Sequence, residues 1–250
     1  DFCATATPAL LDGDFLTFDT EFIRERTYAP QLCLIQLATA EKAAIVDPLA
    51  EGMDLKPLLD ILANKDMVKV LHAGRQDLEI FLELMGDLPK NIFDTQIAAM
   101  VCGFGDSAGY ETLVKKITKK GLDKSARFSN WAQRPLSKKQ LDYAIGDVTH
   151  LREIYSYLLK NIETKDRSHW ISEEMKVLLS PQTYEVNPRR LLFKLKLRTT
   201  KPSVLSRACY LIEWRENKAM SDNKPRQTIM RDDLISELAT QHPQTLDEFR

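Results

Sequence analysis

The chain has 250 residues, with 35 Lys and Arg against 36 Asp and Glu, and 44% apolar and 28% charged residues. That describes an ordinary soluble globular protein long enough for one large core plus a smaller module. No apolar run approaches the roughly 18 residues of a membrane span and no secretory signal pattern opens the chain, so the sequence reads as cytoplasmic, and a start at Asp1 reads as N-terminal trimming.

Cys3, Cys33, Cys102 and Cys209 are scattered without a paired or zinc-type spacing, which makes them reduced thiols. The near-zero net charge hides an asymmetry. Residues 1–100 hold 8 basic and 17 acidic side chains, whereas residues 187–231 hold 12 basic and 3 acidic. An acidic half able to gather cations is thus followed by a segment able to attract phosphates.

Residues 15–22, F-L-T-F-D-T-E-F, are an apolar run of β-formers that presents two carboxylates at its end. In an extended segment Asp19 and Glu21 lie on one face, roughly 6.6 to 6.8 Å apart along the strand, close enough to share a hard cation. The alternative is a strand end entering a polar turn. Residues 31–38 and 43–46 read as further strands with short connections, an antiparallel meander.

Helical and extended patterns then alternate. Residues 55–62 are helical, 67–71 extended, 76–85 helical with Leu78, Phe81, Leu82 and Met85 on one face, 91–94 extended, and 95–101 and 110–117 helical. The order predicts an α/β fold with a mixed sheet. Asp77 opens the helix that follows the fourth strand, where a carboxylate is also simply favourable to the helix dipole. The glycine-rich stretch 103–109 lacks the spacing of a phosphate loop and reads as a connection.

A polar, basic stretch over 115–127 leads through Trp131 and Arg134 to the capping pattern Ser137-x-x-Gln140 and a long helix over 138–161. Tyr143 and Asp147 stand four residues apart on that helix and can reach a common point. Taken singly, Tyr143 could be an amphipathic residue at a core margin and Asp147 a solvated charge.

Five segments, D-T-E-F-I-R-E-R-T-Y-A-P-Q-L-C-L-I-Q, L-H-A-G-R-Q-D-L-E-I-F, F-D-T-Q-I-A-A, L-D-K-S-A-R-F-S-N-W-A-Q-R-P-L-S-K-K-Q and L-D-Y-A-I-G-D-V, closely resemble the bacterial ribonuclease D family. That family belongs to the four-carboxylate 3'-to-5' exonucleases with a tyrosine beside the last Asp, the DEDDy branch of the ribonuclease-H-like fold. The resemblance implies an α/β, ribonuclease-H-like mixed sheet with flanking helices, followed by a small all-α module. From near Val204, L-I-E-W-R-E-N-K-A-M and I-M-R-D-D-L-I-S-E-L-A look like a helicase-and-ribonuclease-D C-terminal (HRDC) domain. The expected division is an exonuclease domain over 1–165, a helical and basic connector over 166–203, and an incomplete HRDC-like domain over 204–250, without the second copy that many family members carry.

The resemblance maps catalysis and metal binding onto Asp19, Glu21, Asp77 and Asp147, with Tyr143 orienting the attacking water. Oxygen ligands suit two Mg²⁺ or Mn²⁺ ions. Asp19, Glu21 and Asp147 are expected on the first ion, Asp19 bridging to the second, and Asp77 joining directly or through water. The implied substrate is RNA with a single-stranded 3' end, transfer RNA precursors among them, shortened by one 5'-mononucleotide at a time by a monomer. Phe22 and Leu78 are candidates to wedge against terminal bases, and Lys124, Trp131 and Arg134 to contact the strand. The competing readings are a DNA-directed 3'-to-5' exonuclease and a catalytically inactive RNA-binding scaffold.

Overall fold

The computed structural model describes residues 2–123, 125–245 and 247–248. Its strands are β1 (Phe15–Ile23), β2 (Gln31–Ala38), β3 (Ala43–Val46), β4 (Val68–Leu71) and β5 (Ile92–Asp94), in the order β3-β2-β1-β4-β5. β1 pairs in parallel with β4 and β4 with β5, while β2 and β3 are antiparallel. The sheet is therefore mixed, as the alternation of patterns predicts. β1 is central because Leu16, Thr17 and Phe18 are all fully buried, which only a strand covered on both faces allows.

Helices α1 (Phe2–Leu11), α2 (Lys56–Ala63), α3 (Arg75–Met85), α4 (Thr95–Val101), α5 (Tyr110–Leu113), α6 (Lys138–Thr164) and α7 (Ser168–Leu178) complete the first compact unit. Leu16 and Phe18 face a core that takes in Leu58 and Leu62 of α2 and Leu78 and Phe81 of α3; the Phe18 and Phe81 rings meet edge to face at 5.7 Å. On the α6 side, Thr17 donates its hydroxyl to the carbonyl of Val148 at 2.8 Å. Ser137 and Gln140 close a reciprocal capping box at the start of α6.

One local expectation is revised, and one element is additional. α1, absent from the elements expected from the sequence, forms around Pro8 and buries Ala6 and Leu10, one turn apart, in the core. The helix expected over 110–117 is α5 followed by a π-helical turn, Val114–Thr118. The wider turn lets Leu113, Val114 and Ile117 all reach the core.

The second compact unit comprises Glu185–Arg250 with Arg24–Gln31, the segment that joins β1 to β2. It contains α8 (Pro188–Leu192), α9 (Pro202–Ser221), α10 (Arg226–Ile229) and α11 (Asp232–Gln241), and its core gathers Leu195, Val204, Ala208, Ile212, Ile235 and Ala239. Arg215, 2% exposed, bonds Asp232 at 2.6 Å, Glu216 at 3.2 Å and the carbonyl of Met230 at 3.1 Å, so its buried charge is compensated. Residues 166–203 are apportioned between the units: Ile171, Met175 and Leu178 of α7 join the first core, and Leu191 and Leu192 of α8 pack on the second.

Arg152 anchors α6 to the sheet. It pairs with Asp14 at 2.7 Å, donates to the carbonyl of Phe15 at 2.6 Å, and lies 3.9 Å over the Phe15 ring. Arg152→Met keeps much of the stem but loses the charged hydrogen bonds, and it should lower unfolding free energy by about 1.5–3 kcal/mol, read as a shifted urea midpoint at unchanged slope.

Candidate active site

The central strand sets the first two carboxylates. Alternation along β1 sends Leu16 and Phe18 into the core and leaves Asp19 and Glu21 half-buried on the other face, that of Thr17. α6 brings Asp147 to the same place. Asp19, Glu21 and Asp147 each offer a carboxylate oxygen such that these atoms lie within 4.8 Å of one another. Asp147 is only 6% exposed, and one of its oxygens, Oδ1, is buried without a hydrogen-bond partner. It is not the solvated helix charge that position alone allows.

Asp77 comes from the first turn of α3, stands outside that three-carboxylate group and accepts a short hydrogen bond from the Thr20 hydroxyl. Its placement depends on the turn before the helix. Ala73 has φ of 53°, and a Cβ at Gly74 would sit 2.2 Å from Leu71 Cδ1, so any larger residue there would have to displace the buried Leu71 side chain. Buried Asp94 accepts from the backbone N–H of Gly74 at 2.9 Å and Ala73 at 3.1 Å, and also caps α4 through Gln96. The family-like segment F-D-T-Q thus holds a structural carboxylate beside the cleft.

Burial, joined at Asp19 and Glu21 by the neighbouring charges, raises the proton affinity of these acids. Burial, then the charges of Asp77, Asp147 and Glu21, hold Asp19 well above the usual carboxylate range. Burial and the charges of Asp147 and Asp77 push Glu21 up to about 8, with Arg127 opposing. Burial raises Asp147 to about 7, against a hydrogen bond from Tyr143 and the charge of Arg127, and burial raises Asp77 to about 6, against the bond from Thr20. Tyr143 is raised too, by burial and by Asp147 and Glu21, so its hydroxyl stays protonated and acts as a donor at neutral pH.

Asp19, Tyr143 and Asp147 line a cleft of about 350 Å³ whose walls include His72, Tyr110 and Arg127. Tyr110 donates its hydroxyl to the carbonyls of Asp147 and, at 3.3 Å, Gly146, which fixes the helix at the point where the carboxylate leaves it. His72 meets Thr95 Oγ1 at 3.0 Å through Nδ1, and burial holds it down at about 4. None of these three is marked by spacing along the chain; only the fold brings them in.

The expected strand contacts are distributed differently. Leu78 is fully buried in the core, and Phe22 is half-buried at the end of β1. Trp131 is 2% exposed and packs beside Tyr143, ring centroids 6.0 Å apart. Arg134 spends its fork on Asp47, at 2.6 Å to each oxygen, and on the carbonyls of Cys33 and Trp131. Both hold the segment against the sheet. Lys124 lies outside the described residues.

The 3'-5' exonuclease family model matches residues 3–163, and an HRDC domain model matches residues 205–250. The chain belongs to the 3'-5' exonuclease family. It is 47% identical over 238 residues to ribonuclease D of Bartonella henselae, an alignment covering 95% of this chain and 59% of that protein. It superimposes on Escherichia coli RNase D, described as an exoribonuclease involved in structured RNA processing, with a TM-score of 0.85 at 34% identity, over 98% of this chain and 66% of that one. Brucella melitensis NrnC, solved with bound Mg²⁺, shares the fold at a TM-score of 0.59 and 24% identity, over 68% of this chain and 83% of its own. The chain spans about three fifths of the length of the curated ribonuclease D relatives it matches.

The raised carboxylates fix the sign of a pH effect. Ordinary carboxylates titrate near 4, so between there and about 8 the folded cluster binds more protons than the unfolded chain, and stability present at low pH is lost as pH rises through 8. His72, depressed to about 4, works the other way below its ordinary value near 6.5. Between about pH 6.5 and 8, chelator-treated protein should therefore melt at progressively lower temperature. Millimolar Mg²⁺ or Mn²⁺ should raise Tm and flatten that slope, and a Tm indifferent to both metals at pH 8 would remove the metal reading.

Proposed function

We propose that this protein is a 3'-to-5' exoribonuclease that releases 5'-mononucleotides and trims the 3' ends of transfer RNA precursors and other structured RNAs in the cytoplasm, as a monomer. The observation that carries the reading is the trio Asp19, Glu21 and Asp147, with carboxylate oxygens within 4.8 Å of one another and Asp147 Oδ1 buried without a partner. An orphaned carboxylate oxygen among acids whose negative charge burial and neighbouring carboxylates disfavour fits a divalent cation, and all-oxygen donors fit Mg²⁺ or Mn²⁺. The family is divalent-metal dependent, and the relatives that match over nearly all of this chain are ribonuclease D proteins.

Asp19, Glu21 and Asp147 would hold the first of two ions, Asp19 also serving the second, with Asp77 completing the site directly or through water. The ions would neutralise the phosphoryl oxygens and acidify the attacking water. Among the chain's own groups, Tyr143 is assigned to orient that water by donating a hydrogen bond, since a phenol held protonated is no general base. Water adds to phosphorus, the bond to the 3' oxygen of the preceding nucleotide breaks, and that oxygen leaves with a proton. Thr20, through Asp77, and Tyr110, through the carbonyl of Asp147, position carboxylates without touching substrate.

The test is incubation with a 3'-tailed transfer RNA and a matched DNA strand, with Mg²⁺ or Mn²⁺, resolving products nucleotide by nucleotide. A one-nucleotide ladder on RNA is expected, with 5'-mononucleotide as product. Faster shortening of DNA would favour a DNA-directed enzyme, and binding without release an inactive scaffold. Tyr143→Phe keeps the ring against Trp131, so fold and the metal-induced Tm rise should persist while the single-turnover rate falls about 10²- to 10⁴-fold. A variant within threefold of wild type would take Tyr143 out of the mechanism.

A further inference from the structure

The segment that delivers Trp131 and Arg134 to the fold also exposes two side chains that the fold does not use. Arg127 is exposed, lines the cleft with Asp19, Tyr143 and Asp147, and is the only Lys or Arg among the described lining residues. Its charge is felt by Glu21 and Asp147, yet it forms no ion pair with either among the described residues. Its guanidinium instead lies 5.3 Å from the centroid of the Phe128 ring. Phe128 is 92% exposed, the most exposed of the large apolar side chains described.

A buried Arg with a carboxylate fork, such as Arg134, is an element of architecture. An Arg at the rim of an acidic cleft, without an ion pair among the described residues, has donors to offer another anion. The substrate of the exonuclease reading is a polyanion that must approach Asp19, Glu21 and Asp147 against their charge, and among the described lining residues Arg127 is the cation placed to meet it. The aromatic ring beside that cation has no packing role and keeps one face open for stacking.

We propose that Arg127 and Phe128 form a nucleotide clamp at the mouth of the carboxylate cleft, Arg127 binding the scissile phosphate and Phe128 stacking on the adjoining base. The inference rests on the exonuclease reading and deepens it, naming what grips the strand where Trp131 and Arg134 do not. Arg127 then does two things in sequence. It offsets repulsion as the strand enters, and it bonds phosphoryl oxygens whose charge grows as the 3' oxygen departs. Phe128 acts before the chemistry, by fixing which base sits beside the cleft.

The test uses the full chain with Mg²⁺, a short single-stranded oligoribonucleotide, and the variants Arg127→Gln, Arg127→Lys, Phe128→Ala and Phe128→Trp. Arg127→Gln should lower the single-turnover rate about 10- to 10²-fold and reduce the slope of log Kd against log salt by about one, with Arg127→Lys keeping the slope but not the full rate. Phe128→Ala should raise KM about tenfold at nearly unchanged kcat, and Phe128→Trp should restore it. The metal-induced Tm rise should be the same in all four. Arg127→Gln with wild-type rate and salt slope overturns the clamp. So does an Arg127→Gln defect that comes with a larger metal-induced Tm rise, because Arg127 would then be only a counter-charge that the metal replaces. If wild-type protein binds the oligonucleotide but releases no nucleotide, the exonuclease reading fails on its own, and the affinities and salt slopes of the variants still decide the clamp.

Discussion

Three carboxylates gather at one partly buried cleft with Asp77 beside them, and the burial of their charge is the constraint around which the first unit is built. Nothing in folding favours bringing Asp19, Glu21, Asp77 and Asp147 together; the protonation they are driven toward measures the cost. The site persists because each acid is fixed by an element whose own packing is independent of it. β1 is held by Leu16 and Phe18 in the core, α3 by Leu78 and Phe81, and α6 by its stripe and by Arg152. The stability of a well-packed interior is thereby spent on holding like charges in a geometry that only cations or a proton can relieve.

The walls of the cleft divide the remaining work. Hydroxyls from Thr20 and Tyr143 meet Asp77 and Asp147, easing the charge that burial opposes, while Tyr110 and Thr17 address the backbone of α6 rather than its acids. Asp94 sets the turn that aims Asp77. These are different roles for chemically similar groups, and the difference lies in what each atom touches.

Much of this was legible in the chain. The period-2 placement of Asp19 and Glu21 and the four-residue spacing of Tyr143 and Asp147 follow from strand and helix geometry, and the alternation of patterns predicted a mixed sheet. What spacing could not convey was depth. Asp147 and Trp131 are buried because of what packs on them from distant parts of the sequence, and Leu78, beside Asp77, faces inward for the same reason. Trp131 and Arg134 look like strand contacts by residue type, whereas Arg127 and Phe128, in the same stretch, fit no helical or extended period and so had no pattern to mark them. Tyr110 and His72 reach the cleft only through long-range packing. α1 carries Pro8 within it, and its place in the fold comes from burying Ala6 and Leu10 in the core.

The two hydroxyl contacts on α6 have a dynamic side. Thr17 grips the carbonyl of Val148 and Tyr110 that of Asp147, so the 27-residue helix is held near the end of its third turn by two neighbours. Beyond that point Arg152 holds the helix to the sheet, and Ile154, Leu158 and Ile162 hold it in the core. Thermal breathing of the helix tips therefore reaches Asp147 damped by several successive attachments. The fold gains a carboxylate that stays still on a long element.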